Sequence, residues 1–139
     1  MPDINIGQLS EAINNKMDRD LNNRSDDSGL RKLVESYVNG AYWYKVFDEI
    51  QANGSIKKWC EQGGKKYCAA GQWTVISFLK VFADTNYAVT TGSEMSNSGD
   101  NPAAKISNFA VGSFDACFKW DTGQYKAGTL HWYACGYIS

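Results

Sequence analysis

Residues 41–61 read AYWYKVFDEIQANGSIKKWCE, Ala41 to Glu61. The first part, Tyr42 to Phe47, is aromatic and β-branched, a composition that suits a pleated strand. Asn53-Gly54 follows, a dipeptide that tolerates positive φ and marks a hairpin turn. Ser55 to Glu61 then supplies the returning strand. From Ala41 onward the period of the sequence is therefore strand-like, and the rest of the chain keeps it. Further strands are expected around Gln72–Leu79, Tyr87–Thr91, Lys105–Val111, Ser113–Lys119 and Thr129–Ile138, punctuated by Gly63-Gly64, Gly92, Gly112, Gly123 and Gly128. Seven short strands at this spacing predict a mainly β fold, an antiparallel sandwich or barrel-like head.

Upstream of residue 41 the reading changes. Ile6, Leu9 and Ile13 follow 3–4 spacing, and Met17 and Leu21 continue at intervals of four, with polar residues between them. That is a narrow amphipathic stripe, marginal alone and in need of a partner. It packs either on its own domain or with copies of itself around an axis. Ser10 is a weak cap signal at its start. Asn22 to Gly29 breaks the pattern with turn formers. A second, shorter helical stripe is expected at Leu30, Leu33, Val34 and Tyr37, closed by Asn39-Gly40. The division is thus a helical stalk and linker over 1–40 and a β head over 41–139.

Composition narrows the function classes. The 139 residues are 43% hydrophobic and 21% charged, which suits one folded domain plus a short appendage. Fourteen basic residues are balanced by 15 acids, so clustered charge gives no reason to expect nucleic acid. No apolar run approaches the roughly 20 residues that span a bilayer, and Met1 to Gln8 lacks the pattern of a signal peptide. Synthesis in a reducing cytoplasm is expected. Cys60, Cys68, Cys117 and Cys135 fit no zinc spacing and are expected as packed free thiols.

Within this frame, Trp59-Cys60-Glu61-Gln62-Gly63-Gly64 resembles the WxEQGG signature of tail-fibre C-terminal domains in tailed bacteriophages and their prophage relatives. The aromatic strand Trp43-Tyr44-Lys45-Val46-Phe47 precedes it, as in that family. Phe82-Ala83-Asp84-Thr85-Asn86-Tyr87-Ala88-Val89 and the closing Trp132-Tyr133-Ala134-Cys135-Gly136-Tyr137 are similar to later blocks of the same fibres, in the same order. Leu9 to Asn23 looks like the junction that precedes such heads. Asp48–Ser55 departs from the short Ser-Asp-Gly turn common there.

The resemblance implies a homotrimer with bundled stalk helices, Ile6, Leu9, Ile13, Met17 and Leu21 making the contacts. It implies a fibre tip at the distal end of a virion tail fibre, assembled in the host cytoplasm and joined to upstream tail-fibre proteins. Its partner would be a bacterial surface glycan or outer-membrane protein. Receptor contact is assigned to two loops that match no fixed pattern, Ser93–Ala104 and Asp121–Gly128. The residues are Ser96, Asn97, Asp100 and Asn101 from the first, with Trp120, Asp121, Gln124, Tyr125 and Lys126 from the second. Aromatic rings with a polar edge suit sugar faces, and Trp73, Trp132 and Tyr133 enter the same comparison.

Each sharp reading has a plain rival. Trp59 can anchor the core, and Gly63-Gly64 can form a turn with positive φ. Trp132 and Tyr133 point to opposite faces of one strand. His131 reads as a satisfied strand histidine, not as an axial metal ligand. No metal or cofactor is expected. Asp84, Asp100, Asp115 and Asp121 are scattered, and no GxSxG elbow or phosphate loop occurs, so the chain reads as a non-enzyme. A Cys–His dyad using His131 stays open at this point. The rivals to an adhesin are a trimerisation cap that makes no receptor contact and a small glycan hydrolase.

Overall fold

The computed structural model describes residues 5–22 and 30–139, without the side chains of 16–22. In chain order the elements are α1 Ile6–Asn22, β1 Arg31–Asn39, β2 Tyr42–Ile50, β3 Ile56–Cys68, β4 Thr74–Ser77, β5 Ala88–Glu94, β6 Ala103–Ala110, β7 Ser113–Lys119, β8 Tyr125–Lys126 and β9 Gly128–Ile138. A capping box opens α1: Gln8 N–H donates to Asn5 Oδ1 at 2.9 Å, and Asn5 N–H donates to Gln8 Oε1 at 3.2 Å. Asn5 is therefore the cap, and Ser10 lies inside the helix.

Two antiparallel sheets form the sandwich. One runs β1-β2-β3-β9-β5; the other runs β4-β7-β6, with β8 paired to β7. The long β3–β9 ladder, from Lys58↔Ile138 to Cys68↔Gly128, is the spine of the first sheet. Along β9 burial alternates strictly: Gly128, Leu130, Trp132, Ala134 and Gly136 face inward and are buried. Tyr133 takes the opposite face, where its ring meets Trp43 at 5.9 Å. Facing the spine, Phe114, Ala116 and Phe118 of β7 fill the layer between the sheets, joined by Ile76, Phe78, Phe82 and Tyr87. Burial of each large apolar side chain contributes about 1.5–3 kcal/mol.

The β2–β3 turn forms at Asn53-Gly54 as the sequence predicts. Gly54 has φ +82°, and Asn53 Oδ1 accepts from Ser55 N–H at 2.9 Å. Strands also form at the other five predicted places.

Four further expectations change. The stripe at Leu30, Leu33, Val34 and Tyr37 is not helical; it belongs to strand β1, paired with β2. A β-bulge explains the misreading. Leu33 pairs with Phe47 and Glu35 with Val46, so Val34 is an extra residue that breaks the two-residue alternation. The sheet therefore begins at Arg31, ahead of the predicted change of period at residue 41.

Gly63-Gly64 is not a turn either: both lie buried within β3. A Cβ on Gly63 would stand 2.8 Å from Trp132 O and 2.9 Å from Trp43 Nε1, and one on Gly64 only 2.7 Å from Tyr42 Cδ1. The glycines are there for close approach, not for φ. Trp59 does not anchor the core; its half-buried ring lies on the outer face, edge-on to Tyr137 at 5.0 Å. Finally, the loop Asp121–Gly128 contains the short strand β8.

Gln62 is the polar centre of the motif. It is fully buried, its Oε1 accepts from Leu79 N–H (2.9 Å) and Lys80 N–H (3.0 Å), and its Nε2 donates to Lys80 O (2.7 Å). One side chain thereby satisfies three backbone groups and pins the segment after β4 to the spine.

Candidate binding surface

The two assigned loops are built differently. In the β5–β6 connection, Asn97 Oδ1 accepts from Gly99 N–H at 3.0 Å and Asn97 O accepts from Asp100 N–H at 3.0 Å, a local Asx-type turn. Between β7 and β8, Gly123 N–H donates to Trp120 O (2.8 Å) and Trp120 N–H to Gln124 O (2.9 Å), with Gly123 at φ +86°. Both loops thus carry local turn hydrogen bonds of their own.

An ion pair joins them: Lys126 Nζ lies 3.1 Å from Asp100 Oδ2. The Asp100 oxygen is shielded from solvent and the contact lacks hydrogen-bond angles, so the attraction is that of charges, partly desolvated. Next to Lys126, Tyr125 lies under the Lys119 ammonium at 4.4 Å from its ring centre, and Trp73 approaches the same ammonium at 5.7 Å. Beneath the β8–β9 junction, Met95 packs on Gly128, where a Cβ would meet its Sδ at 2.8 Å.

Of the residues assigned from sequence, Ser96, Asn97, Asn101, Asp121 and Gln124 are exposed, whereas Asp100, Trp120, Tyr125 and Lys126 are half-buried. The structure links Asp100 to Lys126 and surrounds Tyr125 with Lys119. Lys119 escaped the sequence reading, because nothing distinguishes a lysine at the end of one strand from any other. Trp73 stood out only as an aromatic; its place beside Lys119 needed the fold.

The stripe assigned to oligomerisation is solvent-facing where it is described: Ile6 is 85% exposed, and Leu9 and Ile13 about half. Met17 and Leu21 have side chains outside the described residues. A second apolar surface appears on β1, every residue of which is exposed, including Leu33, Val34, Tyr37 and Val38. A shallow depression of about 410 Å³ lies along it, walled by Val38, Trp43, Tyr37 and Tyr44.

Several other titratable groups have partners within the sheets. The hydroxyl of Tyr137 donates to Glu49, which also accepts from Arg31 Nε at 2.5 Å; these bonds hold its carboxyl below the usual carboxylate range. Tyr44 O–H (2.7 Å) and Lys80 Nζ (3.0 Å) do the same for Glu35. Glu94 Oε2 lies 2.6 Å from His131 Nε2, so the histidine is a partnered strand residue as expected. Burial pushes the Cys60 thiol up to about 12 and raises those of Cys68 and Cys117, which makes them poor nucleophiles. Asp84 and Asp115 accept from Asn86 N–H and Asn108 Nδ2 respectively. Among the described residues no cluster of three or more His, Cys, Asp or Glu is placed to hold a metal, and no helix is long and apolar enough to cross a membrane.

No protein-family model and no curated protein matches the sequence. Two solved structures share the fold. One is the selenomethionine structure of an N-truncated R2-type pyocin tail fibre, with TM-score 0.52 and 16% identity over 74% of this chain and 38% of that one. The other comprises C-terminal residues of the R2 pyocin fibre of P. aeruginosa, with TM-score 0.51 and 16% identity over 74% of this chain and 26% of that one. The matched region thus spans well under half of either fibre fragment, and the β-sandwich of this chain is similar in fold to part of a phage-tail-like fibre.

Proposed function

We propose that this chain is the receptor-binding tip of a phage-type tail fibre, carried at the distal end and acting as an adhesin without catalysis. The observation that carries the reading is the likeness of its sandwich to the pyocin fibre fragments. The ordered WCEQGG, FADTNYAV and WYACGY blocks support it independently. In this reading the chain is a homotrimer whose α1 helices bundle through Ile6, Leu9, Ile13, Met17 and Leu21. Burial of that exposed stripe supplies the drive for association. The open edge of β1 is a second apolar surface that a trimer would cover, since a long uncovered edge invites pairing.

Receptor contact falls to the joined loops. Ser96, Asn97 and Asn101 offer polar groups, Tyr125 and Trp120 offer flat rings, and Asp100, Lys126, Asp121 and Gln124 offer charge and hydrogen bonds. The receptor is a bacterial surface glycan or outer-membrane protein. Affinity per head would be modest and multiplied by the linked copies. Grafting residues 93–104 and 121–128 onto a related fibre tests the assignment: host preference should move with the loops. If it never does, the trimerisation-cap reading takes its place. Release of new reducing ends from host polysaccharide would make the protein a hydrolase instead. Light scattering should report three chains of 15.4 kDa, and a stable single chain would remove the trimer.

A further inference from the structure

The register of the strands sorts the connections to the two ends of the sandwich. The chain enters the first sheet at Arg31, which pairs with Glu49; Glu49 pairs with Lys57, and Lys58 with Ile138. Entry and the close of β9 therefore share one end. At the other end, the length of β9 away or roughly 30 Å, Cys68 pairs with Gly128 and Glu94 with Thr129. Both loops assigned to receptor contact start there. So does a third that carried no assignment, the β3–β4 connection over residues 69–73, turned by Gly71 at φ +84°.

That third loop ends in Trp73, which keeps 39% of its surface exposed. Ala116 and Phe118 of β7 face inward, so Cys117 and Lys119 face outward, with Lys105 opposite Cys117 and Tyr125 opposite Lys119. Thr74 pairs with Ala116, which sets Trp73 level with Cys117 on the same outer face. There the Lys119 ammonium meets both rings, Tyr125 at 4.4 Å and Trp73 at 5.7 Å from their centres. Among the described residues no carboxylate forms an ion pair with Lys119 or Lys105. Ring faces attract an ammonium but leave its N–H donors without a lone pair to bond. An anionic oxygen supplies that partner.

We propose that Trp73, Lys119 and Tyr125 form a subsite for an acidic sugar. The sugar ring lies on the exposed surface of Trp73, its carboxylate or phosphate accepts from the Lys119 ammonium, and Lys105 adds charge along the same face. A neutral sugar would leave Lys119 unpaired, and an acidic peptide would offer Trp73 no flat apolar face. The inference rests on the receptor-binding reading and narrows the receptor to an anionic glycan.

The test is NMR of the full chain with ¹⁵N-labelled tryptophan, the Trp73 indole being identified by its loss in Trp73→Phe. Methyl glucuronoside and methyl galacturonoside present the carboxylate. Glucose 6-phosphate and galactose 6-phosphate present the phosphate, and the methyl glycosides of glucose and galactose the bare rings. The expected result is a saturable shift of that indole by an acidic sugar, at least tenfold tighter than by its neutral counterpart. Lys119→Gln should erase the preference and Lys119→Arg should keep it. The tighter class of acid identifies the anion that the subsite takes. An indole that no acidic sugar moves, that neutral sugars, acetate or tetraglutamate move as readily, or whose preference survives Lys119→Gln overturns the subsite. A chain that prefers acidic sugars yet adsorbs to no bacterial strain loses the receptor reading and keeps the subsite. One that adsorbs while no sugar moves the indole loses the subsite alone.

Discussion

The β3–β9 spine and the joined β5–β6 and β7–β8 loops solve opposite problems. On the spine, Gln62 is fully buried, bonded to three backbone groups and followed by two glycines that the side chains of Tyr42, Trp43 and Trp132 press against. Almost any change there meets a clash or strands a polar group. At the loops, Asp100 and Lys126 hold each other across partly open surface, while Ser96, Asn97, Asn101, Asp121 and Gln124 face solvent. Change at those five exposed positions costs little. The region that makes the sequence recognisable is therefore the one least free to touch a partner, and the region free to touch a partner leaves no recognisable pattern.

That contrast can be broken by mutation. The largest effect is expected from Gln62→Leu, which keeps the volume but leaves Leu79 N–H, Lys80 N–H and Lys80 O unpartnered. A loss of about 3–4 kcal/mol should appear in urea unfolding. Gly63→Ala comes next: its methyl would press on the Trp132 carbonyl and the Trp43 indole, at a cost of about 2–3 kcal/mol. Were Gly63 merely a turn residue, alanine would be far milder.

Glu49→Gln tests the edge of the spine, where Arg31 of β1 and Tyr137 of β9 meet one carboxylate. It should cost about 1–2 kcal/mol at neutral pH. Because the folded carboxyl is held below its ordinary range, its contribution is complete above that range and fades as pH falls through the lower folded value. The gap between wild type and Glu49→Gln should accordingly close in acid. The smallest effect on stability is expected from Lys126→Gln, about 0.5–1 kcal/mol: Lys126 is itself 40% exposed, which limits the loss, while the shielded Asp100 oxygen that it faces keeps the loss above zero. Unfolding curves of the four variants should fall in that order.

Much of the fold was legible because burial imposes a period. β9 alternates without a fault from Gly128 to Gly136, and Asn53-Gly54 has the turn chemistry its hairpin needs. The reading failed at β1, where the bulge at Val34 disguises a strand as a helical stripe, and at Gly63-Gly64, where close approach by Tyr42 and Trp43 depends on a neighbouring strand. The candidate surface was legible only as one polar loop nearly free of apolar residues and a second carrying a tyrosine between turn formers. That Asp100 meets Lys126, or that Lys119 lies between Trp73 and Tyr125, follows from how β5, β7 and β8 are brought together, and no local pattern encodes it.

The central claim is that attachment resides in the loops while the spine only presents them. The most direct measurement is adsorption of the labelled protein to a panel of bacterial strains, wild type against the triple variant Asp100→Ala/Tyr125→Ala/Lys126→Ala, with the thermal midpoints of both recorded. The account predicts that wild type adsorbs to at least one strain and that the variant loses at least tenfold in affinity with its midpoint nearly unchanged. A variant that adsorbs as well as wild type, on every strain wild type binds, would contradict it.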